Sequence, residues 1–192
     1  MFTDWQNPAE IAPVSVLRVQ LRGPVTLGHV MLLDDLNSPV IHGKPIGIGD
    51  IAIAVIVFSL PTKAALRALR SRFCPLVIRL WGAACWKLDF QGECDRLSGW
   101  LSEQCGGPRV DTGAKENRSG WHPLSAPWWT TKLAIAVAEI GLSIEEAKAM
   151  PVKQLNQMIA ALSEARGDSV YITESLAESI ERIDAIERKA AA

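Results

Sequence analysis

The amino-acid sequence predicts a mainly α-helical, bundle-like protein with one short N-terminal strand or hairpin and a C-terminal helical subdomain. Apolar residues recur at helical spacing through most of the chain, whereas only residues 15–22 alternate as a strand does. Residues that begin or end helices separate these stretches. Ser143 and Glu146, for example, have the spacing of a capping box. Because 48% of the 192 residues are apolar, the chain can build a hydrophobic core.

The N-terminal region predicts an arm followed by a strand. Residues 1–13 show neither a helical nor a strand period, which indicates an arm. Residues 15–22 then alternate, with Leu17, Val19 and Leu21 on one side and polar residues on the other. This is the best strand candidate in the chain, and a Gly-Pro pair ends it.

Three helices are predicted next, over residues 27–36, 51–60 and 63–73. Thr26 can cap the first of them, and Asp50 can cap the second. The second is rich in β-branched residues, which suits a buried strand as well as a helix; we choose helix.

Residues 76–101 form the longest helical region. One stripe of this region is predicted to face inward: Leu76, Leu80, Ala83, Ala84, Phe90, Leu97, Trp100 and Leu101. Gly82, Gly92 and Gly99 each weaken a helix by roughly 1 kcal/mol relative to alanine. A kink or a division into two helices is therefore expected.

Glycine and polar residues without period predict a linker over residues 106–127. The predicted organisation is an N-terminal domain over residues 1–105, this linker, and a C-terminal helical subdomain over residues 128–192. Within the subdomain one helix ends at Gly141, a second begins after Ser143, and a third runs from residue 152 toward Gly167. A last helix is predicted to open near Thr173, with a narrow apolar stripe at Leu176, Ile180, Ile183 and Ile186.

Charge and cysteine usage restrict the class of protein. The net charge of −1 gives no general attraction to nucleic acid or to an anionic membrane. The longest apolar run, residues 51–60, is about half as long as a membrane-spanning helix requires. The four cysteines are Cys74, Cys85, Cys94 and Cys105. With no signal peptide at the N-terminus, free thiols in a reducing cytoplasm are expected.

No motif in the sequence indicates catalysis, a cofactor or a metal. A zinc site made from the cysteines with His42 and His122 is disfavoured, because no CxxC or HxxxH pair supplies two ligands from one turn. A GxSxG elbow and a phosphate-binding GxxxxGK[ST] loop are both missing from the sequence. His29 lies near Asp34 and Asp35, but we interpret it as a structural histidine that hydrogen-bonds a neighbour.

Two groups of residues are candidates for contacts with partners. Trp128 and Trp129 stand with Trp121 at the end of the linker, where aromatic side chains can anchor an interface. Trp81 and Trp86 are better explained by core packing. A basic run contains Lys63, Arg67, Arg70, Arg72 and Arg79. A solvated helix face is preferred for this run over a nucleic-acid patch.

Two stretches resemble a known class of protein. Residues 26–39 and residues 128–158, the latter with the sequences GLSIEEA from Gly141 and Met150-Pro151, are similar to small proteins encoded in the tail gene clusters of long-tailed bacteriophages and prophages. The nearest class is the tail assembly chaperone. The resemblance implies a mainly helical, non-catalytic protein of the host cytoplasm. Such a protein binds the helical tape measure protein while the tail tube polymerises, and it is absent from the finished virion.

The expected function is therefore to bind a helical tape measure-like protein through apolar faces. The residues predicted to contact this partner are Trp128, Trp129, Leu176, Ile180 and Ile183. Neither a cofactor nor a membrane is expected, and homo-oligomers remain open. One alternative is a virion structural protein, such as a head-tail connector or tail completion protein, that forms a ring. A second is a helix-turn-helix module around residues 140–143, although Glu145 and Glu146 would oppose phosphates.

Overall fold

The computed structural model describes residues 11–85, 87–107, 110–111, 127–167 and 170–171. It confirms the mainly helical class with a short N-terminal hairpin. The elements in chain order are β1 (Val14–Val16), β2 (Val19–Leu21), α1 (Leu27–Asp35), α2 (Pro39–His42), α3 (Ile48–Ser59), α4 (Thr62–Leu69), α5 (Cys74–Ala84), α6 (Phe90–Cys105), β3 (Val110–Asp111), α7 (Trp128–Ala138), α8 (Ile144–Ala149), α9 (Val152–Ala165) and β4 (Val170–Tyr171).

The N-terminal strand region, predicted as a short strand or hairpin, is a hairpin of two three-residue strands. Strands β1 and β2 pair antiparallel, with Val14 opposite Leu21. Leu17 and Arg18 form the turn between them, with φ angles of 47° and 64°. Two-residue hairpin turns with positive φ normally use Gly, Asn or Asp, so these two residues gave no turn signal. The predicted strand or hairpin is therefore confirmed as a hairpin, although the position of its turn carried no sequence signal.

Helix α3 lies at the centre of the main hydrophobic core. Its buried residues are Ile51, Ala52, Ala54, Val55, Val57 and Phe58. The choice of helix over strand for residues 51–60 is confirmed, but the helix begins at Ile48 after Gly47. The Asp50 carboxylate accepts a hydrogen bond from the Gly47 backbone N–H at 2.8 Å, from the third helical position. The prediction that Asp50 is the N-cap was therefore wrong, since a residue inside the first turn also satisfies an exposed donor.

The helices around α3 have different bounds from those predicted. Helix α4 ends at Leu69, before the predicted end at residue 73. The region 76–101 is divided into α5 and α6, as expected, but the break lies at residues 85–89. The three glycines that suggested the division all lie inside these helices. The N-terminal arm is also shorter than predicted, because Ile11 is buried in the core.

The C-terminal helices pack against α1. The backbone N–H of Leu27 donates to the Met150 carbonyl at 3.1 Å, and that of Val152 donates to the Val25 carbonyl at 2.9 Å. A second core cluster forms here around Leu27, Ala136, Ala147 and Leu155. Ser143 and Glu146 make the predicted capping box. Strand β3, within the predicted linker, pairs with β4. The predicted domain boundaries stay a prediction.

Candidate protein-binding surface

Helix α5 has two apolar sides, one turned toward the core and one toward solvent. Its inner side consists of Cys74, Ile78, Trp81 and Cys85, of which the two cysteines are buried and the other two pack against the main core. The Trp81 indole N–H donates to the Leu17 carbonyl at 3.1 Å, which joins α5 to the hairpin turn. The spacing of four, three and four residues is that of one helix face. The inner side is therefore fixed on the body of the protein.

The outer side of α5 carries large apolar side chains that the fold leaves in solvent. Their exposed fractions are 58% for Phe73, 55% for Leu76, 50% for Val77 and 62% for Leu80. At 100° per residue, these positions fall within about 100° of the helix surface. We refer to these four residues as the α5 face. Contiguous exposed apolar residues of this kind mark interaction sites on soluble proteins.

The exposure of the α5 face shows that part of the predicted inward-facing stripe was wrong. Leu76 and Leu80 were predicted to face inward, but both are exposed, as are Ala83 and Ala84. Both sides of α5 have helical spacing, so periodicity could not choose between them. Hydrophobicity favoured the leucine side. In the structure α5 instead packs against Leu17 and α3 through the side that carries Cys74, Trp81 and Cys85.

Arginine side chains border the α5 face. Residues 51–88 contain no Asp or Glu and six basic residues: Lys63, Arg67, Arg70, Arg72, Arg79 and Lys87. The Arg72 guanidinium lies 4.9 Å from the centre of the Phe73 ring, at one edge of the face. Arg79 is exposed on α5 itself. The five members of the predicted basic run are exposed, which fits a solvated face and a nucleic-acid patch equally, so the preference for a solvated face stays a prediction. The face thus combines apolar side chains with cations.

The partner-binding residues predicted from the sequence differ in their surroundings. Trp128, the first residue of α7, is 45% exposed, and the Lys132 amine lies 5.5 Å from the centre of its ring. Trp129 is partly buried and packs against both core clusters. Leu176, Ile180 and Ile183 lie outside the described residues. Trp128 is therefore the one predicted residue that the described part of the chain presents at the surface, and the structure does not bring it into the α5 face.

A cleft of about 330 Å³ lies beside Trp128. It is lined mainly by apolar residues of α1, α2, α3 and α6, together with the thiols of Cys94 and Cys105. Burial raises the pKa of the Cys105 thiol to about 11, although Lys132 lowers it slightly. Burial likewise lowers the pKa of the Lys132 ammonium. A thiol with this pKa is protonated at neutral pH and is a poor nucleophile.

Lys132 and Cys105 are held together by an amide side chain. The Lys132 ammonium donates to the Asn156 side-chain oxygen, and the Asn156 side-chain N–H donates to the Cys105 carbonyl at 2.7 Å. These hydrogen bonds join α6, α7 and α9. The arrangement therefore explains how these three helices are held against one another.

His29 is a structural histidine, as the sequence suggested. Its Nδ1 accepts from the Thr26 backbone N–H at 3.1 Å, and its Nε2 donates to the Leu60 carbonyl at 3.0 Å. Burial lowers the pKa of the imidazole, while the hydrogen bond to Leu60 partly opposes this shift. The neutral ring therefore links α1 to the end of α3. Among the described residues, no three His, Cys, Asp or Glu side chains form a group that could hold a metal ion.

Helices α7 and α8 have the connectivity of a helix-turn-helix unit. Residues 139–143 join them, and Gly141 has a φ of +81°. Helix α8 has six residues and exposes Glu145 and Glu146. These carboxylates would face a phosphate backbone with the wrong charge. The geometry gives no support to DNA binding through α8.

Comparison of the chain with protein-family models, curated proteins and solved structures gives no match. Within the part of the chain that the structure describes, no helix combines the length and the apolar character needed to cross a membrane.

Proposed function

We propose that this protein is a non-catalytic binding protein that captures an amphipathic helix of another protein, as a phage tail assembly chaperone captures a tape measure protein in the host cytoplasm. The α5 face is the observation that carries the proposal. Four large apolar side chains are at least half exposed at the N-cap and on the first turns of a helix whose other apolar side packs against the core. Amphipathic helices bind such faces with their own apolar residues.

The size of the α5 face supports a transient complex. Burying a large apolar side chain completely stabilises by about 1.5–3 kcal/mol, so covering the exposed half of four contributes roughly 3–6 kcal/mol. Association costs at least about 4 kcal/mol in lost translational and rotational freedom. Binding through this face alone is therefore weak. Weak binding suits a chaperone that has to leave its partner when the tail is complete.

Co-expression with the tape measure-like helical protein encoded nearby tests the proposal. The wild-type chain is expected to co-purify with this partner as a mixed complex of defined mass when the two are chemically crosslinked before purification, because binding through the α5 face alone is weak. Leu76→Asp with Leu80→Asp is expected to abolish co-purification, because two carboxylates replace the centre of the apolar face. These exposed positions are expected to change the free energy of unfolding by only about 0.5 kcal/mol.

Ile144→Asp is the matched control. Ile144 is 52% exposed on α8, away from the α5 face, so its substitution is expected to leave co-purification intact. If the Leu76 and Leu80 double variant still binds the partner as well as wild type, the α5 face is not the binding site. A homogeneous ring of this chain without a partner would contradict the chaperone role and favour the connector or tail completion alternative.

A further inference from the structure

The cleft beside Trp128 is long and narrow and follows helix α6. Six residues of α6 line it, all on one face of the helix: Cys94, Leu97, Ser98, Leu101, Ser102 and Cys105. This face extends over three turns, or about 16 Å at 1.5 Å per residue. The cleft volume of about 330 Å³ is therefore spread along the helix. A space of this form fits an extended chain better than a compact ring system.

The floor of the cleft is apolar, and its open edge carries hydroxyl groups. Val30, Ile51 and Phe58 are buried residues of the main core that also line the cleft. Ser98 and Ser102 are exposed on the solvent side. Apolar walls with a few polar groups are typical of small-molecule sites. The volume holds about eleven groups of the size of a water molecule or a methylene, at roughly 30 Å³ each.

A lysine lies at one end of the cleft. Lys132 follows the lining residue Trp128 by four positions on the same side of α7, and its ammonium lies 5.5 Å from the centre of the Trp128 ring. Its charge also acts on the thiol of Cys105, the last lining residue of α6. Of the three donors of this ammonium, Asn156 accepts one. Within the described ranges, no carboxylate forms an ion pair with Lys132. A half-buried cation in this state attracts an anion.

We propose that the cleft binds a medium-chain fatty acid, with a single unbranched chain of about ten carbons. The alkyl chain lies along α6 on the apolar floor, and the carboxylate accepts hydrogen bonds from the Lys132 ammonium at the Trp128 end. Such a molecule has about twelve non-hydrogen atoms, which is close to the capacity of the cleft. No residue of the α5 face lines the cleft, so the proposal does not depend on the proposed function.

Isothermal titration calorimetry of the full-length chain with saturated fatty acids, from hexanoate to hexadecanoate, tests the fit of the alkyl chain. One molecule is expected to bind per chain. Affinity should rise about fourfold for each added methylene until the cleft is filled near decanoate. Longer chains leave their last methylenes in water, so hexadecanoate should bind no more tightly than decanoate. Affinity that keeps rising up to hexadecanoate would indicate nonspecific contact with apolar surface and would overturn the proposal. A failure of decanoate to bind would also overturn it.

Lys132→Met separates contact with the carboxylate from a structural role of the lysine. Decanol has the same chain without the charge and is expected to bind the wild type about tenfold less tightly than decanoate does. In Lys132→Met, decanoate should weaken to the affinity of decanol, while the affinity of decanol changes little. A lysine that only holds the helices together would weaken both ligands equally. That result would overturn the proposal.

Ser98→Phe tests the location of the site. Ser98 is exposed at the open edge of the cleft, so a phenylalanine side chain there is expected to obstruct the path of the alkyl chain. Decanoate should bind at least about tenfold less tightly, the effect of removing roughly two buried methylenes. Glu103→Phe is the matched control, because Glu103 is exposed on the opposite side of α6 and does not line the cleft. Both variants should keep the circular dichroism of the wild type. Unchanged affinity in Ser98→Phe would overturn the proposal.

A further pair of variants distinguishes this site from the α5 face. Leu76→Asp with Leu80→Asp should keep the affinity for decanoate while it abolishes capture of a partner, and Ser98→Phe should do the reverse. Loss of decanoate binding in the Leu76 and Leu80 double variant would place the fatty acid on the α5 face and overturn the proposal. If the wild type binds decanoate and captures no partner, only the proposed function is contradicted.

Discussion

Glu93 on α6 accepts a hydrogen bond from the backbone N–H of Leu17 at 2.8 Å, across 76 positions of sequence. Leu17 begins the hairpin turn with a positive φ, and its carbonyl accepts from the Trp81 indole. A positive φ costs roughly 1–3 kcal/mol at a residue other than glycine. The buried carboxylate and the indole together hold a turn that its own sequence does not favour.

Replacing the buried carboxylate with an amide should destabilise the protein. One carboxylate oxygen of Glu93 accepts from the Leu17 N–H, and the other accepts from Arg96 at 2.6 Å. In Glu93→Gln an NH2 group replaces one of these oxygens, so one of the two donors loses its acceptor. Leaving a buried donor without a partner costs about 1–3 kcal/mol. Urea unfolding is expected to show a loss of this size. Glu103→Gln, at an exposed position of the same helix, should leave the free energy of unfolding within about 0.5 kcal/mol of wild type.

Alanine substitutions at Gly23 and Gly43 distinguish the energetic cost of backbone strain from that of a steric clash. Gly23 and Gly43 have φ angles of +66° and +63°, so alanine is strained at both by roughly 1 kcal/mol. A Cβ at Gly23 would also lie 2.6–2.9 Å from the Gln104 side-chain amide, whereas a Cβ at Gly43 would have no atom within 4 Å. Gln104 accepts from the Val25 N–H at 3.2 Å, and displacing it costs a further 1–3 kcal/mol, roughly.

Thermal or urea unfolding of the two alanine variants measures this difference. Gly23→Ala is expected to lose roughly 2–4 kcal/mol, and Gly43→Ala about 1 kcal/mol. Equal losses would mean that the Gln104 side chain moves aside without cost.

His29 should make the protein less stable in mild acid. Its pKa in the folded protein is lowered by burial from the ordinary value of 6.5, with partial opposition from the Leu60 hydrogen bond. Below about pH 7, the His29 imidazole therefore binds a proton more tightly in the unfolded chain than in the folded protein. The His29 contribution to stability is present above the unfolded pKa and decreases as the pH falls below it, by at most about 1.4 kcal/mol per pH unit.

Urea unfolding between pH 5 and pH 7.5 measures this slope in the wild type and in His29→Gln. The variant is expected to lose less stability on acidification than the wild type does. His42→Gln, which removes the exposed histidine paired with Asp34 at 3.2 Å, should keep the part of the slope due to His29. A slope unchanged by His29→Gln would show that other groups control the acid response.

The raised pKa of Cys105 predicts slow alkylation. At pH 8, three units below its pKa of about 11, roughly 0.1% of this thiol is thiolate. The rate with iodoacetamide should rise about tenfold per pH unit between pH 8 and 9.5. Lys132→Met removes the positive charge that lowers the pKa of Cys105, so alkylation at Cys105 should become slower still. The control within the same molecule is Cys94, whose pKa is raised by burial and by the nearby carboxylates of Asp95 and Glu93, without a contribution from Lys132.

Some features of this protein could be predicted because they depend on neighbouring residues alone. Thr26 and Ser143 cap helices where the sequence placed caps. Gly141 adopts the expected left-handed conformation after α7. Each of these outcomes depends on hydrogen bonds or dihedral preferences within a few residues.

The candidate site could not be predicted in the same way. Trp128 is exposed, but Trp129 is partly buried between the two clusters, and no local signal distinguishes these adjacent tryptophans. The α5 face was missed because Leu76 and Leu80 look like core residues to any periodicity argument. The sequence did contain one signal for the α5 face. Apolar residues from Cys74 to Cys85 form a second apolar side, so the core could cover only one of the two.

The sequence by itself determined the helical class, most of the caps and the position of the N-terminal strand region, because these follow from short-range interactions. Only the tertiary structure decided that the chain turns at Leu17, since Glu93 and Trp81 reach that turn from distant helices. It also decided which side of α5 meets solvent. A helix with two apolar sides has no preferred orientation of its own, and packing against α3 and the hairpin turn chose the side that fits.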